Sequence, residues 1–303
     1  MKSLSFAIIE IGSNNTKVHV YENEQSVFDS TTTIEFKRNY QLNKCLAETD
    51  LEKLYQVIEK SLKYTKNIYL FGCSIFRKLS SDELNKVNTY LKKTYQVEIQ
   101  VVSQEDEAIY TAYGCYADIS YNKDLCVFIG GGGSIELLFV RDHKIFDQRY
   151  YDFGVVDVTN TFPSLKEDYN TCTFEEVSNY VSSLLGDFSL KADVLILAGG
   201  DHLYWYNNAC YELEENILYS SKNQKYMLTI EKSDQYDYDA LQNSLNRIRE
   251  NSDNPLWFDG SRAMKVITNV ISHKIHAKYI IPTKINMEDG IAKKIIYRNT
   301  QKI

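Results

Sequence analysis

The sequence predicts an α/β protein built from two similar lobes, and three observations carry that prediction. At 303 residues the chain is longer than one compact core usually needs. A strand, turn and strand near the N-terminus, "SFAIIEIGSNNTKVHVYE" (5–22), recurs roughly 119 residues later as "LCVFIGGGGSIELLFV" (125–140), a self-similarity that marks a duplicated unit. Helical periods alternate with apolar strands around these copies, as in α/β folds. The expected division is an N-terminal lobe over 1–122 and a C-terminal lobe over 123–303, with the duplicated hairpins facing each other across a cleft. The last helix, about 287–299, is expected to pack back on the first lobe.

Each element has a local reason. Thr49-x-x-Glu52 forms a capping box, and Leu51, Leu54, Tyr55, Ile58 and Leu62 follow at helical spacing, which predicts a helix over 49–64. "IYLFG" (68–72) reads as a buried strand, "SDELNKVNTYLKK" (81–93) as a helix and "VEIQVVS" (97–103) as an alternating strand. Beyond the glycine hairpin, Thr173-x-x-Glu176 caps a helix with Val177, Tyr180, Val181 and Leu184 on one face. "DVLILAGG" (193–200) suits a buried parallel strand that delivers a glycine pair to a loop. Helices near 239–251 and over 260–275 and a strand over 277–282 complete the series before the last helix.

The bulk composition narrows the function. A chain 44% hydrophobic and 25% charged is an ordinary soluble protein, and no apolar stretch approaches the roughly 20 residues of a membrane span. The N-terminal apolar run reaches Glu10 too early for a signal peptide. Six cysteines without a CxxC pair fit free thiols in a reducing cytoplasm, the expected location. The net charge of −7 argues against a general nucleic-acid binder but allows an anionic substrate at one local basic site.

The candidate chemistry lies in the two turns. Consecutive glycines, Gly131 to Gly133 with Ser134, leave backbone N–H groups free to converge on an anion, because glycine adopts positive φ without steric cost. A plain hairpin explains one such turn equally well; the second turn, Gly12-Ser13-Asn14-Asn15, favours phosphate. Glu10 and Glu136, in or beside these turns, are candidates to hold Mg²⁺, although strand alternation alone would point Glu136 to solvent. On local grounds the acids of "SQEDEAIYTAYG" (103–114) are helix-start acids, and Lys17, Lys37, Arg38 and Arg77 are surface charges. His273-x-x-His276 lacks a third ligand, and "YWY" (204–206) reads as packing.

Together these segments resemble the exopolyphosphatase / guanosine pentaphosphate phosphatase (Ppx/GppA) family, of the actin-like ATPase fold shared with sugar kinases. "AIIEIGSNNTKVHVYE" resembles its first phosphate motif, "GCSIFRKLS" its segment with a substrate-binding arginine, and "VSQEDEAIYTAYG" its acidic catalytic segment. "IGGGGSIELLFV" resembles the second phosphate motif, "DFGVVDVTNTF" the segment after it, "VLILAGGDHL" the third glycine loop and "NMEDGIAKKI" the C-terminal helix. The resemblance implies two ribonuclease H-like lobes with mixed sheets flanked by helices. It also implies Glu107 as the acid that orients or deprotonates water, and phosphate contacts from Ser13, Asn14, Lys17, Arg77, Gly131 to Gly133, Ser134, Gly199 and Gly200. Glu10 and Glu136 would serve Mg²⁺, with Mn²⁺ as an alternative.

The departures are equally specific. Glu10 stands for the family's first aspartate, Ile129 for the second, Gln104 for a glycine, and Asp201 for a threonine. No rotamer of isoleucine ligates Mg²⁺. The leading expectation is a hydrolase releasing terminal phosphate from inorganic polyphosphate or pppGpp, without the extra C-terminal helical domain of longer relatives. The alternative is an impaired member that binds polyphosphate or a guanosine polyphosphate as a sensor. A kinase of the same fold is disfavoured because no adenosine or sugar pattern is readable. Members of this fold often dimerise, so a homodimer is a candidate assembly; neither nucleic acid nor membrane is an expected partner.

Overall fold

The computed structural model describes residues 4–300 apart from Glu24, Phe188, Asn251 and Asp253. Residues up to Tyr110, together with those from Glu288 onward, form one compact unit, and Thr111–Met287 form another. The division between units thus falls before the expected 122/123, inside a helix.

The first unit opens with β1 (Ser5–Ile11), β2 (Asn15–Glu22) and β3 (Gln25–Thr33), an antiparallel meander. Then come α1 (Phe36–Asn43), α2 (Glu48–Leu62), β4 (Ile68–Gly72), α3 (Ser81–Tyr95), β5 (Ile99–Val101) and α4 (Gln104–Tyr116). The sheet order is β3-β2-β1-β4-β5, with β4 parallel to β1 and β5 parallel to β4. β1 is buried along its middle because the sheet is covered there, and Ala7, Ile9, Ile11, Leu54, Ile58 and Leu70 make the core. Burying each such branched side chain contributes about 1.5–3 kcal/mol.

The second unit repeats this opening. β6 (Leu125–Gly130), β7 (Ile135–Arg141) and β8 (Lys144–Tyr151) form a second antiparallel meander, followed by α5 (Val155–Thr161), α6 (Phe174–Leu185), β9 (Val194–Leu197) and α7 (Asp201–Asn208). β10 (Glu214–Glu215), β11 (Tyr226–Thr229), α8 (Ile230–Gln242), α9 (Asn246–Arg249), α10 (Ser261–Lys274) and β12 (Tyr279–Pro282) complete it. The sheet order is β10-β11-β12-β9-β6-β7-β8, and β9 pairs parallel with both β6 and β12. The last helix, α11 (Met287–Thr300), groups with the first unit from Glu288 onward. No helix among the described residues is long and apolar enough to cross a membrane.

The duplication holds position by position. Gly12 N–H donates to Asn15 C=O at 2.9 Å, and Gly131 N–H donates to Ser134 C=O at 3.0 Å. Ile11 faces Thr16 across the first ladder as Gly130 faces Ile135 across the second, and the register shifts at Val20/Tyr21 and at Phe139/Val140.

Several local expectations are corrected. The helix expected over 49–64 starts at Glu48 with Ala47 as its uncapped N-cap. Asp50, 1% exposed, takes two hydrogen bonds from Asn39 Nδ2 at 3.1 and 2.9 Å, and this tertiary contact fixes the start in place of the Thr49 box. The expected helix near 239–251 is instead two: α8, capped by Thr229, ends where Asn243 turns extended, and α9 follows. Buried Arg262 holds the break by donating to the carbonyls of Ala240 and Asn243 at 2.8 and 2.5 Å. The capping box at Thr173 is formed, as is an additional one at Ser80.

Candidate functional site

In the first unit the hairpin turn between β1 and β2 is held from both sides. Lys37 and Ile34 at the entry to α1 donate their N–H groups to the carbonyls of Ser13 and Asn14, both at 3.0 Å. On the other side, Ser13 Oγ contacts Ser74 Oγ, two residues past the end of β4. Arg77, one helical turn further, is fixed by two bonds: Nε donates to Val102 C=O at 2.7 Å and Nη2 contacts the Glu107 carboxylate. Glu107 is placed by the start of α4, where Ser103 Oγ accepts from Asp106 N–H at 3.0 Å and donates to the Asp106 carboxylate at 2.8 Å. Asp106 therefore serves the cap and Glu107 meets the arginine. The surface-charge expectation for Arg77 gives way: its side chain is 27% exposed and engaged at two of its three nitrogens. Arg38 does lie at the surface, paired with Glu35.

Lys17 and Glu10 face each other across the β1–β2 ladder, with Nζ 3.3 Å from Glu10 Oε2. The third member carries no local sign of its role. Glu288, 2% exposed in the first turn of α11, lies 3.7 Å from Lys17 Nζ and 3.3 Å from His19 Nε2. An acid in a first turn is ordinary, so the only signal was a charge that burial later singles out. Burial first, and then the neighbouring Glu288, push the Glu10 carboxyl up to about 7. Burial also opposes the charge of Glu288, but His19 and Lys17 outweigh it and hold this carboxyl down at about 2. Burial works against the Lys17 charge as well, and Glu288 and Glu10 more than offset it, so its ammonium stays charged above the ordinary lysine range. Lys17, expected to contact phosphate, is thus engaged by two carboxylates.

In the second unit Gly131, Gly132 and Gly133 are exposed, while Glu136 is 5% exposed and accepts from Ser134 Oγ at 2.9 Å. Glu136 does not face solvent as strand alternation suggested. None of these glycines has positive φ, so conformational freedom is not their reason. Close approach instead requires glycine at Gly154, where a Cβ would lie 2.4 Å from Gly131 O and 2.7 Å from Gly133 N. The backbone at the start of α5 packs against the turn, and Val155 and Val156 donate their N–H groups to Gly131 C=O and Gly132 C=O at 3.1 and 2.8 Å. Among the described residues, Gly132 N–H and Gly133 N–H have no protein acceptor, which leaves them for an anion.

Gly199 and Gly200 do need glycine, at φ +97° and +88°. Their N–H groups donate to Ile285 and Thr283 carbonyls at 2.9 Å each, so the pair shapes the turn before α7 and has no amide to offer a phosphate. α7 carries the aromatic run; Trp205 and Tyr206 are buried packing residues over the Lys265 ammonium. A cavity of about 160 Å³ lies beside them, bordered by Gly132, His202, Trp205, Trp257 and Lys265. His273 pairs with Asp234, and among the described residues no group of three or more His, Cys, Asp or Glu is arranged for a metal. Glu10 and Glu136 each offer one carboxylate. Taken in its own unit, each single carboxylate suits Mg²⁺ only where phosphate oxygens and water supply the remaining ligands.

Comparison with known proteins bears on the fold and the family. No curated protein matches the sequence. The solved structure of an Aquifex aeolicus member of the Ppx/GppA protein family is 18% identical, covers 98% of this chain and 99% of its own, and superposes with a TM-score of 0.77. An exopolyphosphatase from Cytophaga hutchinsonii is 12% identical, with 97% and 98% coverage and a TM-score of 0.72. The fold is that of these Ppx/GppA proteins, and the model of the Ppx/GppA phosphatase family matches residues 16–242. The chain belongs to the Ppx/GppA phosphatase family.

Proposed function

We propose that this protein is a phosphoanhydride hydrolase that releases terminal phosphate from inorganic polyphosphate or from pppGpp. The observation that carries the reading is the contact between Arg77 and Glu107, a fixed cation and an acid in reach of the same small volume. Arg77 binds oxygens of the terminal phosphoryl group, and Glu107 orients the attacking water and accepts its proton. The N–H groups of Gly132 and Gly133 donate to phosphate oxygens. Glu10 and Glu136 are the residues that would hold Mg²⁺ or Mn²⁺, which when bound neutralises charge on the phosphate oxygens.

One observation favours a second reading. Ile129 occupies the strand position equivalent to Glu10, so the second unit lacks the carboxylate that the first carries there, and the protein would then bind its polyanion as a sensor without turnover. Phosphate release from long-chain polyphosphate and from pppGpp, with Mg²⁺ and then Mn²⁺, separates the two when wild type and Glu107→Gln are run together. Release that depends on Glu107 supports the hydrolase, and the better substrate defines its specificity. Tight polyanion binding with no release supports the sensor.

A further inference from the structure

Eight residues other than glycine have positive φ among those described: Asn23, Lys44, Ser74, Gln96, Asp142, His143, Cys210 and His276. Seven of them are exposed and have a plain structural task. Asn23 turns the chain between β2 and β3, and Asp142 and His143 form the two-residue turn between β7 and β8. Lys44 and Gln96 terminate α1 and α3 in the left-handed conformation, and Cys210 and His276 follow the ends of α7 and α10. Ser74 is different on every count. It is partly buried, closes no hairpin and terminates no helix, yet it adopts φ +50° two residues past the end of β4, where a 3-10 turn over Ser74–Lys78 begins. A side chain in this region is disfavoured, and such strain persists where the surroundings impose it, commonly at functional sites.

What the strained backbone achieves is the placement of one hydroxyl. Ser74 Oγ meets Ser13 Oγ, 61 residues away, in the turn between β1 and β2. Each serine hydroxyl has one proton, and a contact between two hydroxyls uses only one of them. The second proton needs a third partner, and no other hydrogen bond of either Oγ exists among the described residues. The Arg77 guanidinium three residues on, in contact with the Glu107 carboxylate, supplies positive charge on the same segment. An acceptor that carries negative charge completes this arrangement.

We propose that Ser74 is an additional phosphate-contacting residue, acting with Ser13 as a hydroxyl pair that donates to an oxygen of the terminal phosphoryl group. This rests on the phosphoanhydride reading of the first unit. The test is calorimetric titration of the full chain with inorganic tripolyphosphate and Mg²⁺, comparing wild type with Ser74→Gly, Ser74→Ala and Arg77→Ala. Ser74→Gly removes the hydroxyl and the strain together. It is expected to weaken binding about tenfold while raising the melting temperature by about 1–3 °C. Ser74→Ala is expected to weaken binding equally without that gain. A merely structural serine would not move affinity and stability in opposite directions. Wild-type affinity in both Ser74 variants, with Arg77→Ala weakened, overturns the role of Ser74 and leaves the phosphate reading standing. Unchanged affinity in all three, or no binding by wild type, overturns both.

Discussion

The two units begin with the same meander and use it oppositely. In the first, the last turn of the ladder sets Glu10 against Lys17; in the second, the equivalent pair is Ile129 against Glu136. The acid has crossed from the first strand to the second, and the cation has gone. The first unit therefore gathers charged side chains, Glu10, Lys17, Arg77, Glu107 and Glu288, around a turn held by α1. The second presents backbone: an exposed glycine turn clamped by Gly154 and the start of α5. Duplicated scaffolds can thus diverge in what they offer an anion while every strand keeps its register.

This contrast yields predictions. If the charged half carries the chemistry, Glu107→Gln lowers turnover by about 10²–10⁴-fold with binding spared, read as phosphate release beside polyanion titration. Surviving turnover would remove Glu107 from the mechanism. Arg77→Ala is expected to weaken polyanion binding by about 10–100-fold. It should cost little stability beyond the lost bond to Val102 C=O, so a collapse of the melting transition would mark Arg77 as chiefly structural. For the backbone half, Gly154→Ala drives a Cβ into the turn and is expected to destabilise the protein by about 1–3 kcal/mol, measured from the denaturant midpoint. A neutral result would mean that the turn yields easily.

Two further changes act on the ladder pair itself. Ile129→Asp makes the second unit resemble the first and is expected to raise Mg²⁺-dependent release about tenfold; unchanged release would show that Glu136 needs no partner there. Glu10→Gln tests the pH behaviour of the buried carboxyl. Its folded value, raised to about 7 from 4.5, means that the native state binds this proton more tightly than the unfolded chain. Wild type should therefore lose stability relative to Glu10→Gln as pH rises between 4.5 and about 7, and no further above that. Parallel melting temperatures for the two proteins across that window would contradict the burial of this charge.

Much of this was legible in the residues. β1, β4, β6 and β9 are apolar because they run through covered sheets, and the duplicated hairpins align down to Gly12–Asn15 and Gly131–Ser134. β3 and β8 escaped notice because they are sheet-edge strands, and edges take polar side chains such as those of "DSTTT" and "KIFDQ". The site was legible where a motif is local, at Arg77, Glu107 and the glycine turn. Lys17 was assigned to phosphate because its partner Glu288 lies far along the chain, and no local pattern distinguishes that acid from one in any helix start. Positive φ does not explain the glycines of the turn, whose φ values are ordinary, and the position where packing against the turn demands glycine is Gly154, outside the motif.

Glu288 also bears on the order in which the protein assembles. The chain leaves the first unit within α4, builds the whole of the second, and only then returns at Glu288 to lie against Lys17 and His19. A ribosome will have made every residue of Thr111–Met287 before the partner of Lys17 emerges. The unit synthesised first is consequently the one finished last, and its closing contacts have the greatest sequence separation in the molecule's charged cluster, which slows their formation. Until then Lys17 and His19 have only Glu10 and Asp29 as carboxylate partners. Synthesis proceeds from the charged half to the backbone half, and completion runs the other way.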